Sequence, residues 1–284
     1  METLLYLFSR LPMSWMRAIG RSVGVLIYKC SASYRQRIHE NLRYAGIDSE
    51  AMALRVAAEQ GIQGIEAPWV WGRGRQDYLK KTYVSPEAEE QLRHAIEGRA
   101  VVFLTPHIGC YEVAPSWLAE NVLKGTDKHI SILYRVPRKT YLRKLVGQGR
   151  QTPNVLPCSA DLKGVRQILR NLKAGGMAGI LPDQVPSNGE GVWAPFFGQQ
   201  AYTMTFPLRL IRQFNALGVV ARSERTEEGW AVSWKIWDIK LTGDDAQDAA
   251  MMNKWIEETV MECPHQYLWS YNRYKCPHGV QKPE

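Results

Sequence analysis

Short apolar runs that alternate with helical patterns leave this chain few folds to choose from. The run Ala100-Val101-Val102-Phe103-Leu104 reads as a buried strand. Further strand candidates lie at Ile130 to Tyr134, Ala178 to Leu181, Leu217 to Ala221 and Trp230 to Ile239. Helical periodicity fills the intervals, over about 113–123, 138–149, 160–174 and 204–214, with a last helix near 246–261. An earlier helix is expected over 50–66. Ser85-Pro86-Glu87 supplies a capping serine with proline at the first helical position, and Gly98 a stop. Strands alternating with helices specify an α/β sheet with helices on its faces. There is no internal repeat and no low-complexity linker, so the simplest layout is a helical N-terminal extension over 1–45 followed by one α/β domain over 46–284.

The extension has its own pattern. Arg10, Ser14, Arg17 and Arg21 recur at helical steps on one face, and Leu4, Phe8, Leu11, Trp15, Ile19, Val23 and Leu26 on roughly the opposite one. From Met1 to Ala45 there are seven Lys/Arg against two Glu, a net of +5. No run reaches the roughly 18 apolar residues of a spanning helix. Pro12 is expected to open a second helix after a short first one. A basic amphipathic helix of this kind suits an anionic membrane surface; the alternative is that its apolar row packs on the protein's own core.

Charge and cysteines narrow the partners. With 36 Lys+Arg against 28 Asp+Glu the chain carries +8, which favours acidic partners without choosing among them. Hydrophobic residues at 45% exclude a disordered chain. Five irregularly spaced cysteines do not form a secreted disulfide framework. Cys263-Pro264-His265 and Cys276-Pro277-His278 resemble ligand pairs, but a single proline separates each Cys from its His. Zinc sites space their paired cysteines by about two to four residues, so no metal is expected.

The candidate chemistry follows the strand that ends at Leu104. In Thr105-Pro106-His107-Ile108-Gly109-Cys110-Tyr111-Glu112 a wholly helical backbone would point His107 and Glu112 about 140° apart. Pro106 and Gly109 instead indicate a turn, which can fold His107 back towards a Glu112 at the start of the next helix. A carboxylate on one imidazole nitrogen fixes the tautomer and leaves the other nitrogen to take a proton. That pair suits attack of an alcohol on a thioester, because the hydroxyl needs a base while the thiolate leaves readily. Cys110 offers a rival, two-step mechanism as an acyl-accepting thiol. Two further features support an anionic, lipid-like substrate. Between Lys128 and Ala160 stand seven basic residues, among them Arg135, Arg138 and Lys139, and no acidic ones. Leu181-Pro182-Asp183-Gln184 ends another strand, and Trp193-Ala194-Pro195-Phe196-Phe197-Gly198 follows in a Gly/Pro-rich loop.

Taken in order, His107 to Glu112, Tyr134-Arg135, Asp183-Gln184, Ala194 to Gly198 and the tail Gln266 to Lys275 resemble the bacterial lipid A biosynthesis acyltransferases, over nearly the whole chain. The resemblance implies a glycerolipid-acyltransferase-like fold with a central mixed sheet flanked by helices. It implies an inner-membrane enzyme at the cytoplasmic face, which takes acyl chains from acyl carrier protein thioesters and needs no cofactor or metal. The acceptor it implies is a hydroxyl of a lipid A precursor. Carried over, His107 is the general base, with Glu112 orienting and charging it. Arg135, Arg138, Lys139, Asp183 and Gln184 line the substrate site. The chain departs from the family at Cys110 and Tyr111, where members often carry Asn and Trp. Two other readings stay open: acylation of another glycolipid or of a lysophospholipid, and a non-catalytic basic protein bound to membrane. No nucleic-acid-binding signature appears.

Overall fold

The structure, a computed structural model, describes residues 7–134, 153–238 and 240–283. The expected helix over 138–149 and the basic residues Arg135, Arg138 and Lys139 lie outside them.

Three helices open the described chain: α1 (Met13–Cys30), α2 (Ala32–Tyr44) and α3 (Glu50–Gly72). Pro12 starts α1 as expected, accepting from the N–H groups of Trp15 and Met16. Ser49 caps α3 through a bond from the Met52 N–H at 3.2 Å. The expected end of α3 near 66 is exceeded because Trp69 and Val70, beyond Pro68, are buried and draw the helix on. Tertiary burial here outweighs the hydrogen bond that proline removes.

A seven-stranded sheet follows. Its strands are β1 (Thr82–Tyr83), β2 (Val101–Leu104), β3 (Ile130–Tyr134), β4 (Val155–Ser159), β5 (Met177–Ile180), β8 (Leu217–Arg225) and β9 (Trp230–Trp237). They lie in the order β1-β9-β8-β2-β5-β3-β4. All neighbours are parallel except β8 and β9, so the sheet is mixed. Helices α4 (Pro86–Glu97), α5 (Val113–Asn121), α6 (Leu162–Lys173), α7 (Phe206–Phe214) and α8 (Asp245–Glu262) cover it. Ser85 and Gly98 bound α4 as their residue types require.

The two-residue period of β2 sorts its side chains between two cores. Val101 and Phe103 join Leu92, Ile96 and Trp117 of α4 and α5, whereas Val102 and Leu104 join Leu208, Met252 and Ile256 of α7 and α8. Burial on both faces is why this strand reads as a continuous apolar run.

The aromatic segment 193–198, expected as a loop, instead forms strand β6 (Gly191–Phe196), paired antiparallel with β7 (Gln199–Met204). Phe197 and Gly198 make the two-residue turn with φ of 46° and 73°, the positive values that a tight hairpin demands. β4 is equally unexpected: Pro157 weakens a strand pattern, and here it sits on an edge strand, where proline is tolerated.

The N-terminal helix is oriented unusually. Gly20 and Gly24 of α1 lie against Gly61 of α3 with no space for a side chain, since a Cβ on Gly24 would stand 2.0 Å from the Ala57 carbonyl oxygen. Arg17, expected on a basic stripe, is buried: it donates to the Gly229 carbonyl at 2.7 Å and lies 3.6 Å from the Glu66 carboxylate. The apolar row faces outward, with Trp15 65%, Ile19 45%, Val23 40% and Leu26 61% exposed, and Arg10, Ser14 and Arg21 of the basic row are exposed as well. No helix among the described residues is long and apolar enough to cross a membrane.

Candidate active site

Strand register builds the site. β2 and β5 are parallel neighbours with Leu104 opposite Ile180. His107 and Asp183 each stand three residues past that pair, so the two strand ends deliver them at the same height. Strand ends of such sheets are where ligands bind.

Asp183 grips His107 twice. One carboxylate oxygen accepts the His107 backbone N–H at 2.8 Å and the other lies 2.7 Å from the ring Nδ1. Asp183 is 2% exposed. Burial pushes its carboxyl up, but the charge of His107 and the hydrogen bonds from its ring and backbone outweigh burial and hold it below the usual carboxylate range. An ionised carboxylate can only accept, so in the neutral imidazole Nδ1 carries the ring proton and the lone pair is on Nε2. On that side the Gln184 amide nitrogen lies 3.2 Å from Nε2.

The turn expected after His107 is present. Gly109 has φ of +58°, and a Cβ there would lie 1.9 Å from the Ser223 carbonyl oxygen, so only glycine fits. Its N–H donates to the Gln266 carbonyl at 3.2 Å, and Cys110 N–H to Ser223 at 2.9 Å. On the other side Gln63 of α3 donates from one amide nitrogen to the carbonyls of His107 at 3.3 Å and Gly109 at 3.1 Å.

Glu112 is placed differently from the expectation. It stands at the N-terminus of α5, buried, and accepts from the Trp71 indole N–H at 3.0 Å. Among the described residues the ring of His107 hydrogen-bonds Asp183 and Gln184, not Glu112. The carboxylate that meets the ring is Asp183, because sheet pairing brings β5 beside β2 while the turn carries Glu112 away to the helix start. The Cys110 thiol is buried, and desolvation, followed by the charges of Glu66 and Glu112, pushes it well above its ordinary value. A thiol so held lacks the thiolate that a nucleophile needs.

An apolar cleft opens between the sheet and α5, lined by Phe103, Ile132, Trp117, Leu118 and Leu181, with Thr105, Tyr111 and Glu112 as polar groups on its wall. The Tyr111 ring meets that of His107 edge-on, centroids 5.0 Å apart.

The C-terminal tail clamps the two halves. Gln266 and Tyr267 pair with the His107 turn, and the Tyr271 hydroxyl accepts the Val185 N–H at 2.9 Å, next to Gln184. Behind the turn lies a buried ionic cluster, with Arg225 at 2.8 Å from Glu59 and 2.9 Å from Glu66. Gln63 and Trp71 do not stand out in the sequence, whereas Tyr271 lies in the tail motif. The available signal is polar Glu59, Gln60, Gln63 and Glu66 at helical spacing inside an otherwise apolar helix. Among the described residues no group of three His, Cys, Asp or Glu side chains is arranged to hold a metal ion.

The family model described as bacterial lipid A biosynthesis acyltransferase matches residues 3–276. The chain is 21% identical over 281 residues to the lipid A biosynthesis palmitoleoyltransferase of Escherichia coli K12, covering 95% of this chain and 88% of that protein. It is 32% identical over 125 residues to the lipid A biosynthesis lauroyltransferase of the same organism, covering 42% of this chain and 41% of that one. A lipid A biosynthesis acyltransferase of Haemophilus influenzae is 20% identical over 278 residues, covering 93% and 83%.

Proposed function

This chain belongs to the bacterial lipid A biosynthesis acyltransferases, and we propose that it moves a fatty acyl chain from an acyl carrier protein thioester onto a hydroxyl of a lipid A precursor. The observation that carries the reading is an imidazole with its Nδ1 held by a buried carboxylate and its ring against Tyr111, which lines an apolar cleft.

In this reading the acyl chain lies in the cleft and its thioester carbon reaches the strand ends. The acceptor hydroxyl approaches His107 Nε2, which removes its proton as the oxygen attacks. Asp183 keeps the ring in the productive tautomer and stabilises the imidazolium that forms. Glu112, on the cleft wall and tethered by Trp71, is the second carboxylate of the site and receives a polar group of the substrates. Arg135, Arg138 and Lys139 are proposed to meet the phosphates of the acceptor or the acidic carrier protein.

The test is to incubate purified protein in detergent with acyl carrier protein thioesters, or with CoA thioesters, and a tetra-acylated lipid A precursor, beside a lysophospholipid and a glycolipid. The expected result is one added acyl mass on the lipid A precursor with the carrier-protein donor. Product on another lipid alone transfers the reading to that acceptor, and no product with any pair removes acyl transfer.

We further propose that the protein works on the cytoplasmic face of the inner membrane, held there by α1. Its outward row of Trp15, Ile19, Val23 and Leu26 is flanked by the exposed Arg21 and Lys29. An apolar row turned to the outside while an arginine is turned in is the reverse of a soluble helix and suits a lipid interface. Burying one such side chain stabilises by about 1.5–3 kcal/mol. Trp15→Glu with Leu26→Glu is thus expected to weaken co-sedimentation with anionic vesicles at least about tenfold. Unchanged binding contradicts attachment through α1.

A further inference from the structure

We propose that Gln184 is a catalytic residue that occupies the basic nitrogen of His107 in the resting site, yields it to the acceptor hydroxyl, and then donates to the thioester oxygen. The inference rests on the acyl-transfer reading above.

With the Nδ1 proton directed at Asp183, only a donor can satisfy Nε2, and the Gln184 amide NH₂ lies 3.2 Å from it. That amide nitrogen therefore stands where the oxygen of an acceptor hydroxyl must stand to give up its proton. The hold is light. It is the one hydrogen bond that the Gln184 side chain makes among the described residues, and it is longer than the two that fix Asp183.

Asp183 is locked to His107 on one side of Gln184, and the next residue's N–H is locked to the Tyr271 hydroxyl at 2.9 Å on the other. The backbone cannot carry Gln184 away, so on displacement only its side chain turns, and the amide stays within reach of the reacting atoms. Meanwhile the backbone N–H groups of the turn are engaged from His107 to Cys110: His107 with Asp183, Ile108 with Pro106, Gly109 with Gln266 and Cys110 with Ser223. None of these four can serve the oxyanion, whereas the displaced amide can.

The step balances. The acceptor O–H gives its proton to Nε2 while its oxygen bonds to the thioester carbon, and the carbonyl electron pair moves onto oxygen, where the Gln184 N–H donates. When the pair returns, the carbon–sulfur bond breaks and the thiolate leaves with the proton from His107 as a thiol. An ester and a free thiol result.

Gln184→Met and Gln184→Glu keep the length of the side chain and remove the donor. Removing one oxyanion donor costs about 10²–10³ in kcat. The expected result is a loss of about 10²-fold in kcat for both variants, with the KM for the thioester within about threefold and an unchanged melting temperature. A kcat within about threefold of wild type in either folded variant overturns the donor role. A second readout needs no acyl donor: carbethoxylation of His107 by diethyl pyrocarbonate, followed on its own peptide by mass spectrometry. Gln184→Met is expected to speed that modification severalfold, because the amide no longer covers Nε2. An unchanged rate overturns the resting contact. The chemical readout decides that contact even where the acyl-transfer reading itself fails.

Discussion

His107→Ala is expected to lower acyl transfer by about 10³–10⁴-fold, the upper part of the range that a positioned general base contributes. Asp183 cannot take over as the base, because it is 2% exposed and holds His107 with both oxygens. The variant keeps the backbone bond from residue 107 to Asp183, so the strand ends stay together. It loses the ring N–H, and a buried carboxylate short of one partner costs about 1–3 kcal/mol. A modestly lower melting temperature should therefore accompany a near-complete loss of turnover. Initial rates of acylated product at saturating thioester, read beside a thermal melt, check both.

Asp183→Asn is expected to cost about 10²–10⁴-fold in kcat with little change in shape. The amide can accept the His107 backbone N–H through its oxygen, as the carboxylate does. Its nitrogen then faces Nδ1 and donates to it, which forces the ring proton onto Nε2. The nitrogen that must act as base is thereby occupied, and the charge that stabilises the imidazolium is gone. Wrong-tautomer losses of about 10⁴-fold are known for the Ser-His-Asp arrangement, which sets the upper bound used here. Kinetics at neutral pH distinguish this variant from one that merely loosens the site: kcat falls while the KM for the thioester holds.

The sequence carries His107 and the strand before it openly. A buried strand followed by Pro106, His107 and Gly109 can hardly be anything but a strand-end turn, and the positive φ of Gly109 agrees with the residue type. The partner of His107 is not legible, for a physical reason. Glu112 is near in the chain, but Asp183 is near in space, and it becomes so only because β5 inserts beside β2 in the sheet order. Nothing local to either segment specifies that order. The hairpin β6–β7 is hidden for another reason: the glycine and prolines that signal a loop also serve a two-residue turn and an irregular edge. The N-terminal helix is legible as a helix, but its inward face, Met16, Arg17, Gly20, Gly24 and Tyr28, is neither of the two rows read from the sequence. Three glycines decide that, by letting the backbones of α1 and α3 touch.

The measurement that bears most directly on this account is acyl mass added to a lipid A precursor by wild type, His107→Ala and Asp183→Asn, assayed side by side with an acyl carrier protein thioester. One acyl chain gained with the wild type, and lost by at least about 10²-fold in both variants, is the expected result. Product that survives His107→Ala undiminished would contradict the assignment of the base and, with it, the mechanism built on the His107–Asp183 pair.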